Sequence, residues 1–267
     1  MDILAAVGDL HCNSKHALMP PSFVLQEGAT VLQSEIQRWI WDKWGEFWSE
    51  VESIKRYKNA RLVTLVNGEI CDVNKYNNVE LISSDPEDAM QIGMAALEVP
   101  AAITDDWVVS YGTEAHVGTN GLLDRVIANR MGMAGDHWNR FDVGGLRVDA
   151  MHHPKMNNRV KWTTGAAAMR MSLDLEIDYL RRGWPLPHLA IRGHVHAPQD
   201  SGDNHSIRME VLPSWKLSDS FVSRIGEAFP APIGGAVFWL ENDRLEYRRF
   251  YYRWPIKETE VFTKVLS

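Results

Sequence analysis

Residues 3–11 read Ile3-Leu4-Ala5-Ala6-Val7-Gly8-Asp9-Leu10-His11. The apolar run predicts a strand buried on both faces, and Gly8-Asp9 predicts that the chain opens into a loop at its carboxyl end. The pattern recurs. Leu62 to Val66 ends at Asn67-Gly68-Glu69, Trp107 to Tyr111 at Gly112, Leu146 to Met151 at His152-His153, and Leu189 to Ile191 at Gly193-His194-Val195-His196. Helices are predicted between them, at about 29–59, 86–97, 121–131 and 166–182. In the first, Ile36, Ile40, Phe47, Val51 and Ile54 recur by threes and fours, with Trp44 near the gap. Trp39, Trp41 and Trp48 widen that face; they read as cover for a sheet, with a partner surface or base-stacking platform as the alternative. Pro20 and Pro21 keep 12–28 a loop. Ser84-Asp85-Pro86-Glu87 reads as a capping box with proline in the first turn. The tail reads as strands at 207–212, 236–240 and 245–252, with a hairpin turn at Asn242-Asp243. Strand and helix alternate before a β-rich tail, which predicts an α/β layered sandwich, a single domain over 1–267.

Composition narrows the function. There are 28 basic and 35 acidic residues, a net charge of −7, which argues against coating long nucleic acids by charge alone. A short oligonucleotide at a local positive site stays open. No apolar run reaches the roughly 18 residues of a membrane span. No secretion signal is visible, and Cys12 and Cys71 give no disulfide framework, so a cytoplasmic location is expected. Both cysteines read as small buried residues.

The strand ends carry the chemistry. Asp9 and His11, Glu69 and Asp72, Glu114 and His116, His152 and His153, and His194 and His196 each follow an apolar strand. Loops beyond the carboxyl ends of strands in α/β sheets lie together, so distant residues converge. Asp9 and His11 are two apart, as are His194 and His196, and in extended chain such pairs point to one side. Carboxylate and imidazole donors suit Mn, Fe, Co, Ni or Zn rather than calcium, and no cysteine cluster exists for a structural zinc knuckle. Singly, each residue has an ordinary reading: an Asp capping a turn, a surface Glu, a satisfied His. Their joint occurrence predicts a metal centre. Asp136-His137 reads as loop. Residues 244–257, with Arg248, Arg249, Arg253, Tyr247, Tyr251, Tyr252 and Trp254, read as a hairpin with one wet face rather than a nucleic-acid surface. Lys155, Asn157 and Arg159 read as a solvated turn, with contact to substrate phosphate as the alternative.

These blocks resemble the calcineurin-like metallophosphoesterase superfamily, whose pattern is G-D-x-H, G-D-x-x-D, G-N-H-D/E, a single H, and G-H-x-H. Gly8-Asp9-Leu10-His11 and Gly193-His194-Val195-His196 match in full, and His152 supplies the single histidine. Two blocks depart: Gly68-Glu69-Ile70-Cys71-Asp72 has Glu for Asp, and Gly112-Thr113-Glu114-Ala115-His116 lacks the Asn and displaces the His. The resemblance implies a four-layer αββα sandwich of mixed sheets with helices on the outer faces. It implies two divalent ions, one on Asp9, His11, Glu69 and His196, the other on Glu69, His152 and His194. Glu114 or Asn120 replaces the missing Asn, or one ion keeps fewer ligands. His116 would stand near the leaving-group oxygen, and Asp72 and His153 behind the ligands or against substrate. Two such ions share and activate a water, whose hydroxide attacks phosphorus in line. As a ligand, Glu114 would lower the centre from +2 to +1, an effect of roughly 3 kcal/mol at about 5 Å, which favours diester monoanions over monoester dianions. The implied function is thus a phosphodiesterase acting on nucleotides or short nucleic acids. A phosphomonoesterase for proteins or nucleotides is the alternative, and a degenerate protein-binding scaffold, which would have no need of the histidines, is a third reading.

Overall fold

The computed structural model describes residues 1–73, 80–154, 165–217 and 231–255. β1 (Asp2–Val7) lies near the middle of a six-stranded sheet, parallel to β4 (Arg61–Asn67) and antiparallel to β12 (Ile233–Glu241). β5 (Asp106–Ser110) and β6 (Ala134–Asp136) extend it on one side and β13 (Arg244–Tyr252) on the other. A second, five-stranded sheet has the order β10 (Gln199–Asp200), β11 (Arg208–Val211), β9 (Leu189–Arg192), β8 (Leu146–Met151), β7 (Trp138–Val143).

The period of two in β1 sets the layers. Leu4 and Ala6 join Val63, Leu65, Val148, Ala150, Leu189 and Ile191 in a core between the sheets. Ile3, Ala5 and Val7 face the other way, into a core with α1 (Glu35–Lys58), α2 (Pro86–Ala101) and α4 (Leu122–Arg130). On the far side, Ala168 and Met171 of α5 (Ala166–Arg182) pack on Ala190, Met209 and Val211. The result is the expected αββα sandwich of mixed sheets. The tryptophans of α1 cover the first sheet: Trp44 is fully buried, meets Trp215 edge to face at 4.7 Å and donates Nε1–H to the Ala96 carbonyl.

Three local differences from the expected elements stand out. α1 begins at Ser34, not near Ala29, because Ser34 and Gln37 form a reciprocal capping box. The preceding β3 (Thr30–Leu32) pairs instead with β2 (Ser22–Val24). At α2 the cap is Asp85, accepting from the Glu87 amide, with Pro86 at the first turn. Asp136-His137, expected as loop, instead has Asp136 closing β6 and only His137 between it and β7. Cys12 and Cys71 are buried neighbours across a short parallel bridge. Lys155, Asn157, Arg159 and Lys257 lie outside the described residues. Among the described residues no helix is long and apolar enough to cross a membrane.

Candidate metal centre

The loops after β1 and β4 run on side by side: the Asp9 amide donates to the Gly68 carbonyl and the His11 amide to the Glu69 carbonyl. Asp9, His11, Glu69, His194 and His196 all have positive φ, between 48° and 70°. The paired residues therefore do not reach a common point through extended chain, as the spacing predicts. Left-handed turns at each residue aim the side chains, at a cost of order 1–3 kcal/mol each that the surrounding structure must offset. Gly68 makes room as well as a turn: a Cβ there would lie 2.5 Å from His152 Nδ1.

Three groups of potential donors form among the described residues; in the third, His11 and His116 both hydrogen-bond Asp72, and the other two share one carboxylate. Asp9, His11, Glu69 and His196 make the first, and Glu69, His152 and His194 the second. Donors about 2.1 Å from one ion stand about 3.0–3.4 Å apart at octahedral or tetrahedral angles. Here His11 Nε2 is 2.9 Å from His196 Nε2 and 3.1 Å from Glu69 Oε2, and His196 Nε2 is 3.3 Å from Asp9 Oδ1. In the second group, His152 Nε2 is 3.1 Å and His194 Nδ1 3.7 Å from Glu69 Oε1. Three of these buried atoms, Glu69 Oε2, His152 Nε2 and His194 Nδ1, have no hydrogen-bond partner. His11 Nε2 and His196 Nε2 are close enough to share a proton, but Glu69 Oε2, His152 Nε2 and His194 Nδ1 converge without one, which suits a divalent cation.

The supports behind the donors fix their orientation. His152 donates Nδ1–H to the Asn67 carbonyl, and His11 Nδ1 meets Asp72 at 2.9 Å, so each ring turns Nε2 into its group. The His194 amide donates to both Asp9 oxygens. Asp72 also holds His116 Nδ1 at 2.6 Å and Lys216 Nζ at 3.4 Å. Burial opposes charge on His11 and His152, yet Asp72 outweighs it and lifts His11 to about 9, and Glu69 with Asp9 lifts His152 to about 10. Burial likewise opposes ionisation of Asp9, Glu69 and Asp72, yet the imidazoles beside them hold all three below the usual carboxylate range. A field that favours imidazolium also favours a metal cation in the proton's place.

Two facing sheets, with ligand-bearing loops in this order and one carboxylate shared between two donor groups, match the arrangement implied by the resemblance to the calcineurin-like metallophosphoesterases. Solved structures similar to this chain include an archaeal phosphodiesterase, with TM-score 0.44 and 10% identity over 93% of this chain and 99% of that one. A dimetal phosphatase from Danio rerio gives TM-score 0.44 and 8% identity, over 93% and 95% of the two chains. Vacuolar protein sorting 29 from Cryptosporidium parvum gives 0.39 and 13%, over 94% and 98%. No family model matches the sequence, and no curated protein matches it.

The divergent third block resolves differently from expectation. Glu114 does not join either donor group; it is exposed at the start of the short helix α3 (Glu114–Val117) and lines a hollow of about 240 Å³ beside His152. Asn120 lines the same hollow. Thr113 comes to the centre instead, its hydroxyl and amide both donating to Glu69 Oε1. It follows Gly112 where the family pattern has its Asn, the one signal that could have pointed to it. His153 stacks on His194 at 4.5 Å. Two further groups carry no motif. Asp124, fully buried, accepts the amides of Glu69, Ile70 and Gly112, and burial pushes it up to about 6. Lys216 reaches Asp72 from the segment after β11.

Proposed function

We propose that this chain is a dinuclear metal-dependent phosphoesterase, and within that class a phosphodiesterase. The supporting observation is Glu69: a fully buried carboxylate shared by two donor groups, with Oε2 unpartnered. Bound Mn, Fe, Co, Ni or Zn ions would supply Lewis acidity and an activated water at neutral pH. Asp9, His11, Glu69 and His196 would hold one, and Glu69, His152 and His194 the other. Thr113 keeps the shared carboxylate in register. Asp72 takes His116 Nδ1, which leaves Nε2 to give a proton to the departing oxygen.

With Glu114 outside the donor groups, its charge no longer acts as a ligand's. It acts across the hollow, whose described lining contains no Lys or Arg to receive a second phosphate charge. That supports a diester monoanion. The test is turnover of bis-p-nitrophenyl phosphate against p-nitrophenyl phosphate after reconstitution with each metal separately. The diester is expected to turn over faster, and Asp9→Asn to abolish both. Faster monoester turnover contradicts the diesterase reading, and no turnover with any metal contradicts the esterase reading.

A further inference from the structure

A strip on the outer face of the second sheet begins at the catalytic end and plays no part in the donor groups. β7 is the edge strand, and Trp138, Arg140 and Asp142 project outward and exposed while Asn139, Phe141 and Val143 face inward. The Arg140 guanidinium lies 4.5 Å from the ring centres of both Trp138 and Trp184, and Arg182 lies 5.1 Å from Trp184. Beside them opens a cavity of about 570 Å³ walled by Arg140, Arg147, Tyr179 and Trp184. Asp142 is its exposed carboxylate. Asp149, on the neighbouring strand, is buried and already holds Arg192, Trp138 and Tyr179. The strip thus carries Arg140, Arg147 and Arg182, with Asp142 opposite Arg147 and Asp178 one turn before Arg182, in a chain whose net charge is −7.

This strip meets the hollow beside the second donor group. Trp138 pairs in register with Met151, and Met151, His152 and His137 line that hollow. Across it, Tyr111 and His137 rings meet edge to face at 5.3 Å. Glu114 and His116 are two residues apart on one helical turn, about 200° around the axis. Glu114 faces the hollow and His116 faces Asp72, so the proton donor and the hollow lie on different sides of the donor groups. With His116 as the proton donor, a substituent in the hollow would be the one retained on phosphorus.

We infer that the hollow and the β7 strip hold the retained nucleotides of a single-stranded oligonucleotide. The inference rests on the phosphoesterase reading and names its substrate. Unpaired bases stack on aromatic rings and guanidinium planes, while arginines neutralise the phosphates between them. The first base sits against Tyr111 and His137, and the next nucleotides follow Trp138 and Arg140, which at about 3.3 Å per strand residue carries the track about 10 Å from His137.

The test uses the metal-supplemented chain and fluorescein-labelled, phosphorothioate-linked oligothymidylates of about four and about eight nucleotides, read by anisotropy at low and high salt. Wild type is expected to bind the longer oligomer more tightly and to weaken with salt. Trp138→Ala and Arg140→Gln should each weaken binding roughly tenfold while leaving KM for bis-p-nitrophenyl phosphate unchanged. Arg140→Gln, at an exposed side chain, covers the case in which Trp138→Ala loses stability with its bond to Asp149. Equal binding by wild type and Arg140→Gln overturns the inference. Diester turnover without oligonucleotide binding overturns it too and leaves the phosphoesterase reading intact. Binding that depends on Trp138 and Arg140, with no ester hydrolysed, keeps the strip and removes the hydrolase.

Discussion

Asp72 is the residue on which the centre's geometry turns. One carboxylate orients His11, a proposed ligand, and His116, the proposed proton donor, and Lys216 balances it from behind. Removing its charge releases both rings. Asp72→Asn should lower Mn affinity by about 10–100-fold, measured calorimetrically, the usual cost of losing a carboxylate behind a ligating histidine. His116→Ala should leave metal affinity in place and slow an alkyl phosphodiester far more than bis-p-nitrophenyl phosphate, whose leaving group needs little protonation. Equal slowing of both esters would remove His116 from that role. The converging side chains of Asp9, His11, Glu69, His152, His194 and His196 were legible because each follows a buried strand. Their conformation was not, since a spacing of two does not distinguish extended chain from consecutive left-handed turns. Nor were Asp124 and Lys216, whose contacts with Glu69 and Asp72 cross 55 and 144 residues of sequence and leave no local signature.

At the scale of elements, α1 shows why the strongest helix was found and its start was not. Residues after Ser34 bury a stripe of period 3.6, whereas Thr30–Leu32 are apolar enough to fit a helix or a hairpin, and the choice falls to the Ser34 cap. Trp44 carries much of the stripe: it is fully buried, packed against Trp215, and hydrogen-bonded to α2. Trp44→Ala should cost about 3–5 kcal/mol in urea unfolding, the range for a buried tryptophan replaced by alanine. A loss below 1 kcal/mol would mean that α1 does not anchor the first sheet as described. β7 escaped the reading for the opposite reason. Its outward residues are Trp, Arg and Asp and its inward ones include Asn139, so hydrophobic alternation is masked. Asn139 is nonetheless fixed, donating to the Val109 carbonyl of the first sheet.

At the scale of the molecule, the layers follow from alternation in β1, where odd residues meet helices and even residues meet the second sheet. The alternation of strand and helix was legible as an α/β layered sandwich, because each parallel strand ends in a glycine or polar block and each helix keeps one apolar face; the four αββα layers came only from the family resemblance. What the sandwich accomplishes is to bring residues 9 and 196 to within 3.3 Å. The central claim is that this convergence exists to hold two cations astride Glu69. The direct measurement is anomalous diffraction from crystals of Mn-reconstituted protein. Two peaks about 3.5–4 Å apart, one on either side of the Glu69 carboxylate, are the predicted result. A single peak away from Glu69, or none in crystals grown with excess Mn, would contradict it.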